Sequence, residues 1–100
     1  MWTARALSDL QAIGDYIARD DPLAAERWIA KLVALAERTT FTPYAGRRIP
    51  ELGRDDLREV LLRTYRIMYR VREGRCEILT VFEGHRRFPV DLEPPEADED

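Results

Sequence analysis

The chain has one cysteine, one histidine and one lysine in 100 residues. The lone cysteine, Cys76, excludes an internal disulfide and agrees with a reducing compartment. No apolar run approaches the roughly 20 residues that a membrane helix needs. The opening MWTARAL lacks the basic-then-apolar order of a secretion signal, so the expected location is the cytoplasm, with no membrane partner. There is no glycine-rich phosphate loop and no metal-ligand spacing, so no cofactor and no metal are expected. A chain of this length makes one domain with one core, burying roughly two-thirds of its extended surface.

Arginine is what the sequence has in excess. Fifteen of its sixteen bases are arginine, Lys31 being the exception. Arginine suits forked contacts with phosphate or carboxylate, although a GC-rich genome also enriches it. The net charge of −3 conceals an asymmetry. Asp91, Glu93, Glu96, Asp98, Glu99 and Asp100 follow Pro89 without a base, which leaves sixteen bases against thirteen acids in residues 1–89. Residues 1–89 read as a single domain and residues 90–100 as a disordered acidic tail. Mild positive charge on the domain permits a nucleic-acid partner without requiring one.

Apolar spacing predicts two helices. Thr3 can cap the first, which runs to Arg19 with Ala6, Leu10, Ile13 and Ile17 on one face. Asp21 can cap the second, Pro22 fits its first position, and it runs to about Arg38 with Ala25, Trp28 or Ile29, Leu32 and Leu35 or Ala36 buried. So short a link makes them an antiparallel hairpin. Residues 39–53, TTFTPYAGRRIPELG, read as a loop, and an irregular stretch that long in a compact domain points to function. Three strands follow, Leu57–Arg63, Tyr65–Arg72 and Cys76–Phe82, the last two joined by a tight turn at Glu73-Gly74. Tyr65, Ile67, Tyr69 and Val71 share one face of the middle strand and are expected to cover the helices. Arg66, Met68, Arg70 and Arg72 share the other face and are expected to look outward. Tyr16 and Trp28 are expected to fill the helix–sheet interface, and Cys76 to be a small packing residue.

The order of these residues resembles the RelE/ParE toxin superfamily, and more closely its ParE branch. The resemblance rests on Trp2-Thr3, Ala6, Asp9-Leu10, Ile13 and Tyr16-Ile17, then Asp21-Pro22, Ala24-Ala25 and Trp28. It continues through Pro43, Gly46-Arg47 and Pro50-Glu51-Leu52, then REV, YRIMYRV and ILTVFEGHRRFP, and so covers residues 2 to 89. The resemblance implies an α+β fold, a helical hairpin packed on a small three-stranded antiparallel sheet. Relatives begin with a short strand ending about where Trp2-Thr3 stand, so here that strand is expected to be missing or vestigial, leaving an open sheet edge or a shortened start. An antitoxin strand could complete such an edge. The resemblance also implies a type II toxin–antitoxin toxin, held in a hetero-oligomer by a cognate antitoxin that wraps it with its C-terminal segment. ParE-like members block DNA gyrase. RelE-like members are ribosome-dependent mRNA endonucleases, and only that reading calls for direct contact with nucleic acid.

The segment VFEGHRRFP, from Val81 to Pro89, bears on the choice. Cleaving RNA needs a proton acceptor, a proton donor and cations around the phosphate. Arg58, Arg66, Arg86 and Arg87 could supply the cations. In the RelE branch an arginine matching Arg66 and one near the end of the last strand, here Arg86 or Arg87, contribute to the RNA site. Cleaving relatives close with a tyrosine or a histidine-tyrosine pair, whereas this chain reads His85-Arg86-Arg87-Phe88, and Phe88 has no hydroxyl. His85 titrates in a useful range, but no partner acid is legible. The expected function is therefore gyrase inhibition by binding, with Arg58, Arg66, His85, Arg86 and Arg87 as the target- or antitoxin-binding surface. The alternative is a RelE-type endonuclease using His85, Arg66, Arg86 and Arg87; a third reading is a member that has lost toxicity and only binds. The strand arginines also read plainly as solvated charges paired with Glu59, Glu73 and Glu77 across the hairpin.

Overall fold

Thr3 does two things at once at the start of the chain. Its hydroxyl accepts the Ala6 N–H at 3.2 Å, capping α1 (Ala4–Ala18), and donates to the Ile78 carbonyl at 2.7 Å, tying the helix to the sheet. Asp21 caps α2 (Pro22–Arg38) through the Ala24 N–H at 3.1 Å, with Pro22 in the first turn, where its missing N–H costs nothing. The computed structural model describes residues 1–84, 88, 89 and 92. His85, Arg86, Arg87 and nearly all of the acidic tail lie outside the described residues.

After α2 come a 3-10 turn (Pro43–Ala45) and four strands: β1 (Arg47–Arg48), β2 (Leu57–Leu62), β3 (Tyr65–Arg72) and β4 (Arg75–Glu83). The sheet order is β1-β2-β3-β4, with every neighbouring pair antiparallel. The expected three strands are thus joined by a fourth, because the loop after α2 turns back and pairs Arg47 with Glu59 and Arg48 with Arg58. Two residues with Pro50 close behind give no alternating pattern to read. The β3–β4 turn is as expected, with Glu73 and Gly74 both at positive φ (52° and 73°), the backbone a two-residue hairpin turn requires.

The first strand of the resemblance survives as a stub. Trp2 forms an isolated parallel bridge to Ile78, with the Ile78 N–H donating to the Met1 carbonyl at 2.8 Å and the Thr3 N–H to the Ile78 carbonyl at 3.1 Å. Farther along the same β4 edge, the Asp9 carboxylate of α1 accepts the Thr80 hydroxyl and, at 3.3 Å, the Val81 N–H. The edge expected to be open is therefore partly closed by the chain itself.

Two cores sandwich the sheet. On one face Ile67, Tyr69, Val71, Ile78 and Val81 meet Ala6, Leu32 and Ala36 of the helices, as the alternation in β3 requires. On the other face Ile49, Leu57, Met68 and Leu79 are buried together, with Leu52, Phe82, Phe88 and Leu92 against them. A bulge opposite Met68/Tyr69 lets Leu79 join this second cluster while Ile78 and Val81 stay with the first. The face expected to look outward is consequently covered over most of its length: Met68 is fully buried and Arg70 nearly so, whereas Arg72 at the strand end is exposed as expected. Its lid is the segment around Ile49, where the Leu52 and Gly53 N–H groups donate to the Ile49 carbonyl at 3.1 and 2.9 Å. Tyr16 also departs from expectation, standing 61% exposed rather than filling the interface. Trp28 is half-buried against Tyr65, their ring centroids 5.5 Å apart.

Candidate functional site

Arg58 and Arg66, the two described residues of the expected working surface, lie on opposite faces of the sheet. Arg58 stands across from Tyr69 on the helix-covered face, whereas Arg66 shares its face with Met68. The structure does not bring them together.

Arg66 is locked by two carboxylates. Its Nε donates to Glu59 at 2.7 Å, and its two terminal nitrogens grip Glu51 in a fork of two 2.8 Å bonds. The Phe82 ring lies beneath the guanidinium, 5.2 Å from its centroid. Glu59 has a fully buried side chain and takes a second guanidinium, Arg47, at 2.6 Å. The result is a chain of alternating charges, Arg47–Glu59–Arg66–Glu51, that fastens the loop carrying Arg47 and Glu51 to the strands carrying Glu59 and Arg66. Hydrogen bonding to Arg66 holds the Glu51 carboxyl below its ordinary value, against the opposing effect of desolvation. The same pairing with Glu51 first, and with Glu59, pushes the Arg66 guanidinium further up.

Arg58 is a fastener of another kind. It donates to the Asp55 carbonyl at 2.8 Å, the Asp55 carboxylate at 2.6 Å and the Gly46 carbonyl at 3.2 Å. Its guanidinium covers the Tyr44 ring at 5.0 Å from the centroid. Nearby, the Tyr69 hydroxyl donates to the Pro43 carbonyl at 2.6 Å and accepts the Gly46 N–H; burial pushes its pKa up, and the Gly46 bond opposes that. Gly46 has no alternative here, since a Cβ would collide with the Tyr69 hydroxyl and lie 2.8 Å from the Glu59 carbonyl oxygen.

Both described arginines of the expected site, Arg58 and Arg66, are thus engaged internally. No cluster of His, Cys, Asp or Glu among the described residues could hold a metal, and Cys76 is buried with its thiol donated to the Thr39 carbonyl at 3.2 Å. Sequence reading missed two surface features. One is a groove of about 470 Å³ between α1 and the far end of β4, lined by Asp9, Asp15, Tyr16, Tyr65, Phe82 and Glu83 among others. The exposed Tyr16 belongs to it. The other is a pair of aromatic rings on the loop after α2, Phe41 and Tyr44, 84% and 57% exposed. Two aromatic residues in a polar, turn-forming stretch were a usable signal for the second; the groove needed the tertiary fold.

Comparison with known proteins agrees with this architecture. The sequence model described as "ParE toxin of type II toxin-antitoxin system, parDE" matches residues 1–88. "Putative toxin Y4kP" of Sinorhizobium fredii is 40% identical over 91 residues, 88% of this chain and 90% of that one. "Toxin RelE2" of Caulobacter vibrioides is 40% identical over 87 residues, 86% of this chain and 94% of that one. A solved chain described as "Chromosomal ParDE TA system from P. aeruginosa" superposes with a TM-score of 0.68 at 24% identity, over 82% of this chain and 90% of that one, and so shares the fold. Two capped helices over a small antiparallel sheet, matched along nearly their whole length, place this chain in the ParE toxin family: it is a type II toxin–antitoxin toxin, with the antitoxin partner that membership implies.

Proposed function

We propose that the chain inhibits DNA gyrase by binding it, and that a cognate antitoxin neutralises it by forming a hetero-oligomer with it in the bacterial cytoplasm. The observation that carries this reading is the commitment of Arg66 to Glu51 and Glu59. A guanidinium held by two carboxylates is poorly placed to stabilise a phosphate in a cleavage reaction. A binding surface, by contrast, needs shape, rigidity and exposed apolar area, and the Arg47–Glu59–Arg66–Glu51 chain supplies rigidity. Under this reading Arg58 and Arg66 act by holding the loop after α2, and His85, Arg86 and Arg87 remain candidates for direct contact with target or antitoxin.

Inducing the toxin in growing cells tests the proposal. Gyrase trapped on broken DNA, with bulk mRNA intact, is the expected outcome. Messages cut only while being translated, with DNA unbroken, would establish the ribosome-dependent endonuclease instead. The arrest would then have to be lost on substituting His85 or Arg66.

A further inference from the structure

The outer end of the β3–β4 hairpin carries like charges in register. Arg72 and Arg75 are direct partners across the two strands, so both side chains leave the same face, and both residues are exposed. Like charges directly opposite each other repel, and an anion between them relieves that repulsion. Together with Arg70, Glu73, Glu77 and the start of the chain they line a pocket of about 290 Å³. Glu77 faces Arg70 across the strands, and Asp56 serves both Arg54, at 2.8 Å, and Arg70, at 3.6 Å. Arg54, Arg70, Arg72 and Arg75 therefore meet three carboxylates, Asp56, Glu73 and Glu77. The Met1 amino group, which donates to the Cys76 carbonyl at 2.7 Å, adds a further positive charge at the pocket. Arg47, Arg58 and Arg66 are matched by Glu51, Asp55 and Glu59 elsewhere on the sheet and contribute no excess.

We propose that this pocket is the docking site of the chain's own acidic end, residues 93–100, with Arg72 and Arg75 as its principal contacts. Three observations favour that occupant over a separate partner. The first is the course of the chain. β4 stops at Glu83, opposite Tyr65 and away from the hairpin turn, yet Phe88 lies edge-on to Phe82, their centroids 6.2 Å apart. Leu92 packs on the same cluster, its N–H bonded to the Pro89 carbonyl at 3.1 Å. The chain thus returns over the sheet face that carries Arg70 and Arg72, and the cluster extends to Leu57, which pairs with Arg70. The second is length. Eight residues follow Leu92 and span about 26 Å when extended. Even from the level of Arg66, Arg72 is six residues along β3, roughly 20 Å. The third is charge. Glu93, Glu96, Asp98, Glu99 and Asp100 are five acids with no base, and Pro94-Pro95 limits the conformations lost on docking. A tethered anion also meets the pocket at roughly millimolar effective concentration, which a free partner must overcome. Docked there, the acidic end keeps other polyanions off the hairpin, whichever target the toxin has.

The test compares the full chain with a form ending at Leu92. A second, full-length variant carries Glu93→Gln, Glu96→Gln, Asp98→Asn, Glu99→Gln and Asp100→Asn. Amide chemical shifts at low salt report the contact. Changes are expected at Arg72, Gly74, Arg75 and Glu77 in both variants, with Arg47 and Glu59 unmoved. High salt should produce the same changes in the full chain. Heparin serves as the polyanion probe. Truncation is expected to tighten its binding about tenfold at low salt, and by clearly less when Arg72→Gln and Arg75→Gln are present. Hairpin amides that stay in place in both variants overturn the inference. So does an equal gain in heparin affinity with and without the two arginine substitutions, the mark of a tail acting through net charge alone. Changes that appear only as protein concentration rises would also overturn it, by assigning the pocket to the tail of a second copy. None of these readouts involves gyrase, so their failure and that of the proposed function are distinguishable.

Discussion

The two faces of the sheet are built by different physics. The helix-covered face is apolar and local in its logic: Ile67, Tyr69 and Val71 alternate along β3 and meet stripes on two helices. The loop-covered face joins a small apolar cluster to a chain of ion pairs, with Ile49 and Met68 beside Arg47–Glu59–Arg66–Glu51. The first face makes the protein fold. The second holds the loop segment around Ile49 and Glu51 in one particular shape.

Substitution should separate these tasks. The largest effect is expected on the first face, where Ile67→Ala leaves a cavity in a fully buried site and costs about 3–4 kcal/mol of global stability, read by urea unfolding. Glu59→Ala on the second face is expected to cost less, about 2–3 kcal/mol. It removes a buried carboxylate shared by two guanidiniums, but the Arg47 side chain is 55% exposed and can turn to water. Its distinguishing mark is local. Amide hydrogen exchange should rise at Ile49, Leu52 and Gly53, whose N–H bonds form the lid, while α1 and α2 keep their protection. Equal loosening of helices and lid would remove the distinction between the faces.

The difference also explains what the sequence made legible. The helix caps Thr3 and Asp21, the Glu73-Gly74 turn and the inward residues of β3 follow from rules spanning a few positions. The second face did not follow, because its lid comes from Ile49 and Leu52 in a loop and from Phe88 and Leu92 beyond β4. Only the strand register brings Glu59 level with Arg47 and leaves it beside Arg66. The pairing of Arg66 with Glu59 lay within the plain reading of the strand charges. Its fork with Glu51, fifteen residues away, did not. Tyr16 was misplaced because it lies beside the stripe of Ala6, Leu10, Ile13 and Ile17, and helical spacing does not say that a large neighbour of the stripe stops at a groove.

The smallest expected effect is a pH dependence. Pairing with Arg66 lowers the Glu51 pKa in the folded state from an ordinary value of 4.5, so its stabilisation is complete above that value. It is lost as pH falls through the lowered folded value. Between about pH 5 and 3, wild type should lose stability more steeply than Glu51→Gln, by a modest margin because Glu51 is partly exposed. Identical slopes would mean that the fork to Arg66 does not persist in solution.

Whether this toxin acts by binding gyrase, as proposed, or by turnover is decided by a supercoiling assay. Purified gyrase would be titrated with toxin from substoichiometric amounts to excess, with and without antitoxin. Inhibition that rises with the toxin-to-gyrase ratio, accumulates cleaved DNA and is reversed by antitoxin is expected. Unimpaired supercoiling at every ratio, by toxin shown to be folded, would contradict the proposal.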